Sequence, residues 1–292
     1  MSDTIDAPSP FHPGERRAQR LAGVSVPVAA GIRPFMPEQH RDFFALLPDV
    51  LIAARDREGW PVPTMLAGLP GFISSPDPTT LQIETRVDPH DPARALLTPG
   101  AGFGLLGIDL STRRRNRANG HVVAASDALL TLAVGQSFGN CPKYINLRDA
   151  TWHEAVTLEA PEHFTGLDEA ARALVGGADT FFIASGSESG LDISHRGGAA
   201  GFVRIEGDTL VVPDYRGNRY FNTLGNLLLD PRAALLFVDF ARGDVLVLRG
   251  RVAIDWAGAD ALPGAERVWR LTVEGGWRRR GALPLRWRER AA

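Results

Sequence analysis

A chain of 292 residues with a single cysteine, Cys141, cannot form an intramolecular disulfide. It also lacks any run of about 18 apolar residues that could cross a bilayer as a helix. Its opening, MSDTIDAPSP, is acidic and has none of the apolar core of a signal peptide. The expectation is a cytoplasmic protein with no membrane partner. An excess of charge of one sign is missing too, since 32 Lys and Arg stand against 34 Asp and Glu, a net of −2. Nothing in that balance suits nucleic acid, so the expected partner is a small molecule. The seven histidines are dispersed. After His153-Glu154 the position of a second zinc-binding histidine holds Thr157, so no metal site is supported.

What the chain does contain is a period-two apolar pattern. TFFIAS, GFVRIEG, DTLVVPD, RAALLFVDF and DVLVLRGRVAID read as short strands separated by turn residues. Between the third and fourth, Phe221, Leu224, Leu227 and Leu228 recur at helical spacing until Asp230-Pro231 stops the helix. A second short helix is expected from Asp168 to Leu174. The pattern repeats along the chain: GLPGFI (Gly68 to Ile73) matches GAAGFV (Gly198 to Val203), and LLGIDL (Leu105 to Leu110) matches LLFVDF (Leu235 to Phe240). Gly120 matches Gly250, and every pair is 130 residues apart. A register held over about 70 residues points to two copies of one unit. The expected organisation is an N-terminal arm over 1–40, rich in proline, a first β repeat over 41–160 and a second over 161–292. Together the copies make a mainly β, covalent pseudo-dimer with short helices.

Several motifs invite other readings. GFGLLG (Gly102 to Gly107) satisfies the dinucleotide fingerprint, but its twin RAALLF is a plain strand, and the fingerprint needs a helix after it. GQSFG (Gly135 to Gly139) satisfies the nucleophile-elbow pattern, which makes a serine hydrolase using Ser137 an alternative function. The proline and β-leaning residues of NCPKYINLRD stand where that elbow requires a helix. In WRRRGALPLRWRER the arginines are expected to form a solvated face on a last strand.

The two copies agree in their apolar positions and differ in their polar ones. Ser194, His195 and Arg196 correspond to Thr64, Met65 and Leu66, while Asn218, Asn222, Thr223 and Asn226 correspond to Asp88, Pro92, Ala93 and Leu96. Residues present in one copy and absent from the other are not needed to build the fold, so one ligand site per chain is expected, in the second half. Arg196 offers a bidentate fork, and Asn222 and Thr223 stand near a helix start, where free N–H groups favour an anion. The same residues also allow a structural reading, with Asn218 and Asn222 capping the helix and Arg196 paired with Asp192 or Asp214.

The run DISHRGGAAGFVRIEGDTLVVPDYRGNRYFNTLGNLLLDPRAALLFVDF resembles the FMN-binding split-barrel proteins related to pyridoxamine 5′-phosphate oxidase. GQSFGNCPKYI and the opening PFHPGERRAQRLAG are similar to the two-domain branch of that family. The resemblance implies two tandem split barrels of six-stranded Greek-key type, FMN in the groove between them, and an oxidoreductase drawing on NADH, NADPH or a small substrate. A flavin carrier or sensor with little turnover is the alternative. Carried over by position, the phosphate contacts fall on Ser194, His195, Arg196, Arg216, Asn218, Asn222 and Thr223, and the first repeat contributes Gln136, Lys143 and Tyr144. Gly197 and Gly198 are expected to leave room for the flavin. Thr223 departs from the family pattern, which usually has a lysine there. The family habit and exposed sheet edges also allow pairing into a homodimer.

Overall fold

The computed structural model describes residues 9–25, 31–84, 88–153, 159–258 and 262–290. Two helices open the chain, α1 (Pro13–Leu21) and α2 (Glu38–Ala45). A first sheet follows, built from β1 (Asp49–Arg55), β2 (Pro61–Ala67), β3 (Ile73–Ser74), β4 (Thr80–Ile83), β5 (Gly102–Asp109), β6 (Arg114–Ala125) and β7 (Leu130–Gly139). After β8 (Arg148–Trp152), β9 (Glu162–Thr165) and α3 (Glu169–Gly177) comes a second sheet. It contains β10 (Thr180–Ser187), β11 (Gly190–Gly197), β12 (Arg204–Glu206) and β13 (Thr209–Tyr215), then, beyond α4 (Asn222–Leu229), β14 (Arg232–Asp239), β15 (Asp244–Asp255) and β16 (Ala265–Arg279). Last comes β17 (Leu285–Glu289), which pairs with β8.

The two sheets have one topology. Their strand orders are β2-β1-β5-β6-β7-β4-β3 and β11-β10-β14-β15-β16-β13-β12, six strands plus a short edge strand in each, with β9 added beside β16 in the second. β5 and β14, and likewise β6 and β15, begin and end 130 residues apart. Both long hairpins also break register at the same place, between Asn119 and Gly120 and between Arg249 and Gly250. A Cβ on Gly120 would lie 1.9 Å from the Ala133 carbonyl oxygen, and one on Gly250 2.1 Å from that of Thr272. Only glycine lets the bulged backbone come that close.

Strand burial explains why the apolar runs are nearly continuous. On β1, Val50, Ile52 and Ala54 face the interior of the first barrel, while Leu51 and Ala53 face a second cluster that includes Phe182, Ala184, Leu236 and Val247. On β10, Phe181 and Ile183 point into their own barrel, and Phe182 and Ala184 join that shared cluster. With both faces buried, period two gives way to runs of apolar residues.

Three expectations are corrected. The expected strand GFVRIEG extends only over Arg204–Glu206, and the strand ahead of it, β11, instead contains DISHR. The GQSFG motif lies inside β7, where Ser137 is fully buried and its backbone exchanges hydrogen bonds with Arg33. No elbow forms there, so the hydrolase reading has no accessible nucleophile, although Ser137 Oγ lies 2.8 Å from His40 Nδ1. Arg279, from the arginine-rich end, is buried and paired with Asp88 and Asp91 of the first half. The arm is helical as α1 over Pro13–Leu21, and α3 is capped by Asp168, whose side chain accepts from the Ala171 N–H at 2.9 Å.

Candidate functional site

A cleft opens between the halves; its space of about 870 Å³ includes open solvent at the mouth. The first half lines it with Arg115 and Arg117 from β6 and with Cys141, Lys143 and Tyr144. The second contributes His195, Arg196 and Gly197 at the end of β11, the end of β13 from Pro213 to Tyr215, residues of the loop that follows it, and the first turn of α4. Six cations line it (Arg115, Arg117, Lys143, Arg196, Arg219 and Arg267) against two carboxylates, Asp214 and Glu266. Arg267 takes Asp214 at 2.6 Å, leaving Arg196 at 3.9 Å from the same carboxylate. Burial, then Arg117 and Arg196, push Arg115 down to about 9. Burial likewise lowers Arg117 and Arg196. Cations crowded and buried in this way favour an anion.

Arg115 fixes the state of His195. Its Nη1 stands 2.9 Å from His195 Nδ1, and because a guanidinium only donates, Nδ1 accepts and Nε2 carries the proton. Burial, then Arg115 and Arg196, holds the imidazole well below its usual pKa, so the ring is neutral. His195 Nε2 and the Nε atoms of Arg115, Arg117 and Arg196 are buried without a hydrogen-bond partner.

Behind the cleft lies a buried polar layer. Arg117 donates to Ser194 Oγ at 2.5 Å, to Asn222 Oδ1 at 3.3 Å and to Asp192 Oδ1 at 3.4 Å. Asp192 also accepts from Asn119 at 2.7 Å and from Asn226 at 2.9 Å. Ser194 and Thr223 share a hydrogen bond of 2.8 Å. The corner leading into α4 is strained, with Arg219 at φ 63° and Phe221 at φ 62°. Tyr144 across the cleft has φ 64°. Non-glycine residues rarely adopt this region, and such outliers gather at ligand sites.

The residues expected from the sequence fall in four places. His195, Arg196, Asn218, Asn222, Thr223, Lys143 and Tyr144 line the cleft. Ser194 is fully buried behind it in the Arg117 layer. Arg216 is exposed and offers its carbonyl to the Tyr144 hydroxyl at 3.2 Å. Gln136 lies on a separate cavity, beside His12 and Glu15. Gly198 does not border the cleft: a Cβ there would strike its own neighbour Phe202 at 2.8 Å, as one on Gly68 would strike Phe72 at 2.3 Å. Nor does Asn222 cap α4, whose N-cap is Phe221 without a side-chain bond. Arg115, Arg117 and Arg267 were not anticipated. The first two stand opposite Val245 and Val247 in the repeat register, so the copy comparison run from the first half finds them.

Residues 167–275 match the family model described as pyridoxamine 5′-phosphate oxidase. No curated relative matches. Among solved structures, HupZ from Group A Streptococcus is 15% identical over 37% of this chain and 90% of its own, with a TM-score of 0.30. A FAD-binding protein from Mesorhizobium loti is 11% identical over 42% and 99%, with a TM-score of 0.30. A structure described as a putative pyridoxamine 5′-phosphate oxidase, from Lactobacillus delbrueckii, is 16% identical over 36% and 95%, also at 0.30.

Proposed function

We propose that this chain, whose residues 167–275 match the pyridoxamine 5′-phosphate oxidase family, binds FMN in the inter-barrel cleft and works as an oxidoreductase. The observation that carries the reading is the excess of six cations over two carboxylates in one cleft, with buried donors left unpartnered. A phosphate in the cleft would answer that excess of positive charge. The FMN phosphate would meet the Arg196 guanidinium and the free N–H groups of the first turn of α4. Arg117 takes the part of the missing lysine at 223, holding Ser194 directly and Thr223 through it from the other half. Tyr144 and Tyr215, stacked with centroids 5.1 Å apart, form an aromatic wall beside the cleft.

When bound, FMN supplies the electron-transfer chemistry. The chain's own residues bind and orient. Neutral His195 holds a proton at Nε2 for a hydrogen bond, Arg115 keeps that tautomer, and Lys143 and Tyr144 border the mouth, where a nicotinamide donor or small substrate would approach. The shared strand order and the twin bulges support an internal duplication, with an arm over 1–40 and repeats over 41–160 and 161–292. Only one of its two clefts is retained.

Titration of the purified protein into FMN should quench flavin fluorescence to a defined stoichiometry of one per chain. Rapid mixing of the complex with NADPH should then bleach the flavin far faster than free FMN. Absence of quenching sinks the cofactor assignment. Quenching without accelerated bleaching by NADH or NADPH favours the carrier.

A further inference from the structure

Helix α1 rests on the second barrel although the chain continues from it into the first. Gly14 and Gly225 make this possible: a Cβ on Gly14 would lie 2.2 Å from the Gly225 carbonyl oxygen, and one on Gly225 2.6 Å from the Glu15 nitrogen. Contact this close places Glu15, 4% exposed, beside the first turn of α4. One Glu15 oxygen accepts from Asn222 Nδ2, and the other accepts from the His12 backbone N–H at 2.8 Å, closing the capping box of α1. Tyr220, at the strained corner, is flanked by Phe11 at 5.4 Å and Phe138 at 6.0 Å. Its carbonyl accepts from Gln19 at 3.4 Å. Because α4 has no side-chain cap of its own, its first turn is held by the arm on one side and by Arg117 on the other.

We propose that Glu15 is a positioning residue for the cleft: through Asn222 it fixes the first turn of α4, and the charge it carries sets how strongly that turn receives an anion. The proposal rests on the FMN reading and adds the arm to the site. Glu15 is faced by Asp192 on β11, Arg117 on β6, Asn222 on α4 and His12 on its own arm. Burial, then Asp192, push its carboxyl up to about 8. At neutral pH it is therefore protonated. Above that value it adds a negative charge beside Asp192, close to where a phosphate would sit, and repels it. Affinity is therefore full below about 8 and falls as pH rises through it.

FMN would be titrated at about pH 7 and about pH 9 into the full chain and into Glu15→Gln and Glu15→Ala. The wild type should weaken about tenfold across that step, a shift worth one pKa unit of coupling. Glu15→Gln, neutral at both values and still able to accept from Asn222, should bind like the wild type at the lower pH and show no step. Glu15→Ala should bind about tenfold more weakly at both, having lost an anchoring hydrogen bond. A pH step that survives in Glu15→Gln, or wild-type affinity in Glu15→Ala, overturns the proposal. If the wild type binds no FMN at any pH, the cofactor reading fails and the positioning role is decided without ligand. Amide exchange at 222–225 should then be about tenfold faster in Glu15→Ala and unchanged in Glu15→Gln. Equal rates in the wild type and both variants would overturn it.

Discussion

Gly197 and Gly198 are neighbours under different constraints. A Cβ on Gly197 would lie 2.0 Å from the Tyr144 carbonyl oxygen, so this glycine lets the first half close over β11 at the cleft. Gly198 serves its own turn, packing against Phe202 as Gly68 packs against Phe72. Gly197→Ala should push the Tyr144 segment away and weaken FMN binding about tenfold, about 1.4 kcal/mol. Gly198→Ala should leave affinity within about twofold while destabilising the chain by about 1–3 kcal/mol through overpacking. Quenching titrations paired with thermal melts on both variants test this, and identical behaviour of the two would refute the division of roles.

At the scale of elements, β6 and β15 are twins that differ where it matters: Arg117 occupies the position that Val247 holds in the other barrel. Arg117 ties β6 to β11 through Asp192 and Ser194. Arg117→Met would leave Asp192 buried with two amides and no cation. The expected cost is about 3–5 kcal/mol, as for other buried charges deprived of their partner. Adding Asp192→Asn should recover much of it, and urea unfolding of the four chains of the cycle measures the coupling. Strict additivity would mean that the pair does not hold the strands together. The same strands show what could be read in the sequence. β5 and β14 were legible because their apolar residues coincide at one offset, and β15 by its own apolar run, while β6 showed only through the match of Gly120 with Gly250. β11 was not, although Leu191 and Ile193 alternate with Asp192 and Ser194, because a polar face suggests solvent and here it is buried and paired. Seven of the ten candidate site residues line the cleft, since residue type and helix position carry local information. Glu15 was out of reach, because its partner Asn222 is 207 residues away.

For the whole molecule, the decisive feature is the cluster shared by the halves. It holds 21 buried apolar residues among those described, against 20 in each barrel interior, and draws on β1 and β5 as well as β10 and β14. Neither sheet could separate without exposing one face of its central strands. The position related to the cleft by the repeat is closed by the same logic. There Thr64 donates to Asp91 at 2.5 Å, Arg279 pairs with Asp91 at 2.9 Å, and Ala93, Trp277 and Leu285 join the shared cluster. There the halves are packed shut, whereas at the cleft they keep their charges, so each half stabilises the site of the pair. The two barrels should therefore unfold in a single transition. Leu106→Ala in β5 and Leu236→Ala in β14, each costing about 2–5 kcal/mol as core truncations do, should lower the protection of both sheets equally in native-state amide exchange. Two separate transitions, or protection lost only in the sheet that carries the substitution, would show two independent domains, with the cleft a surface between them.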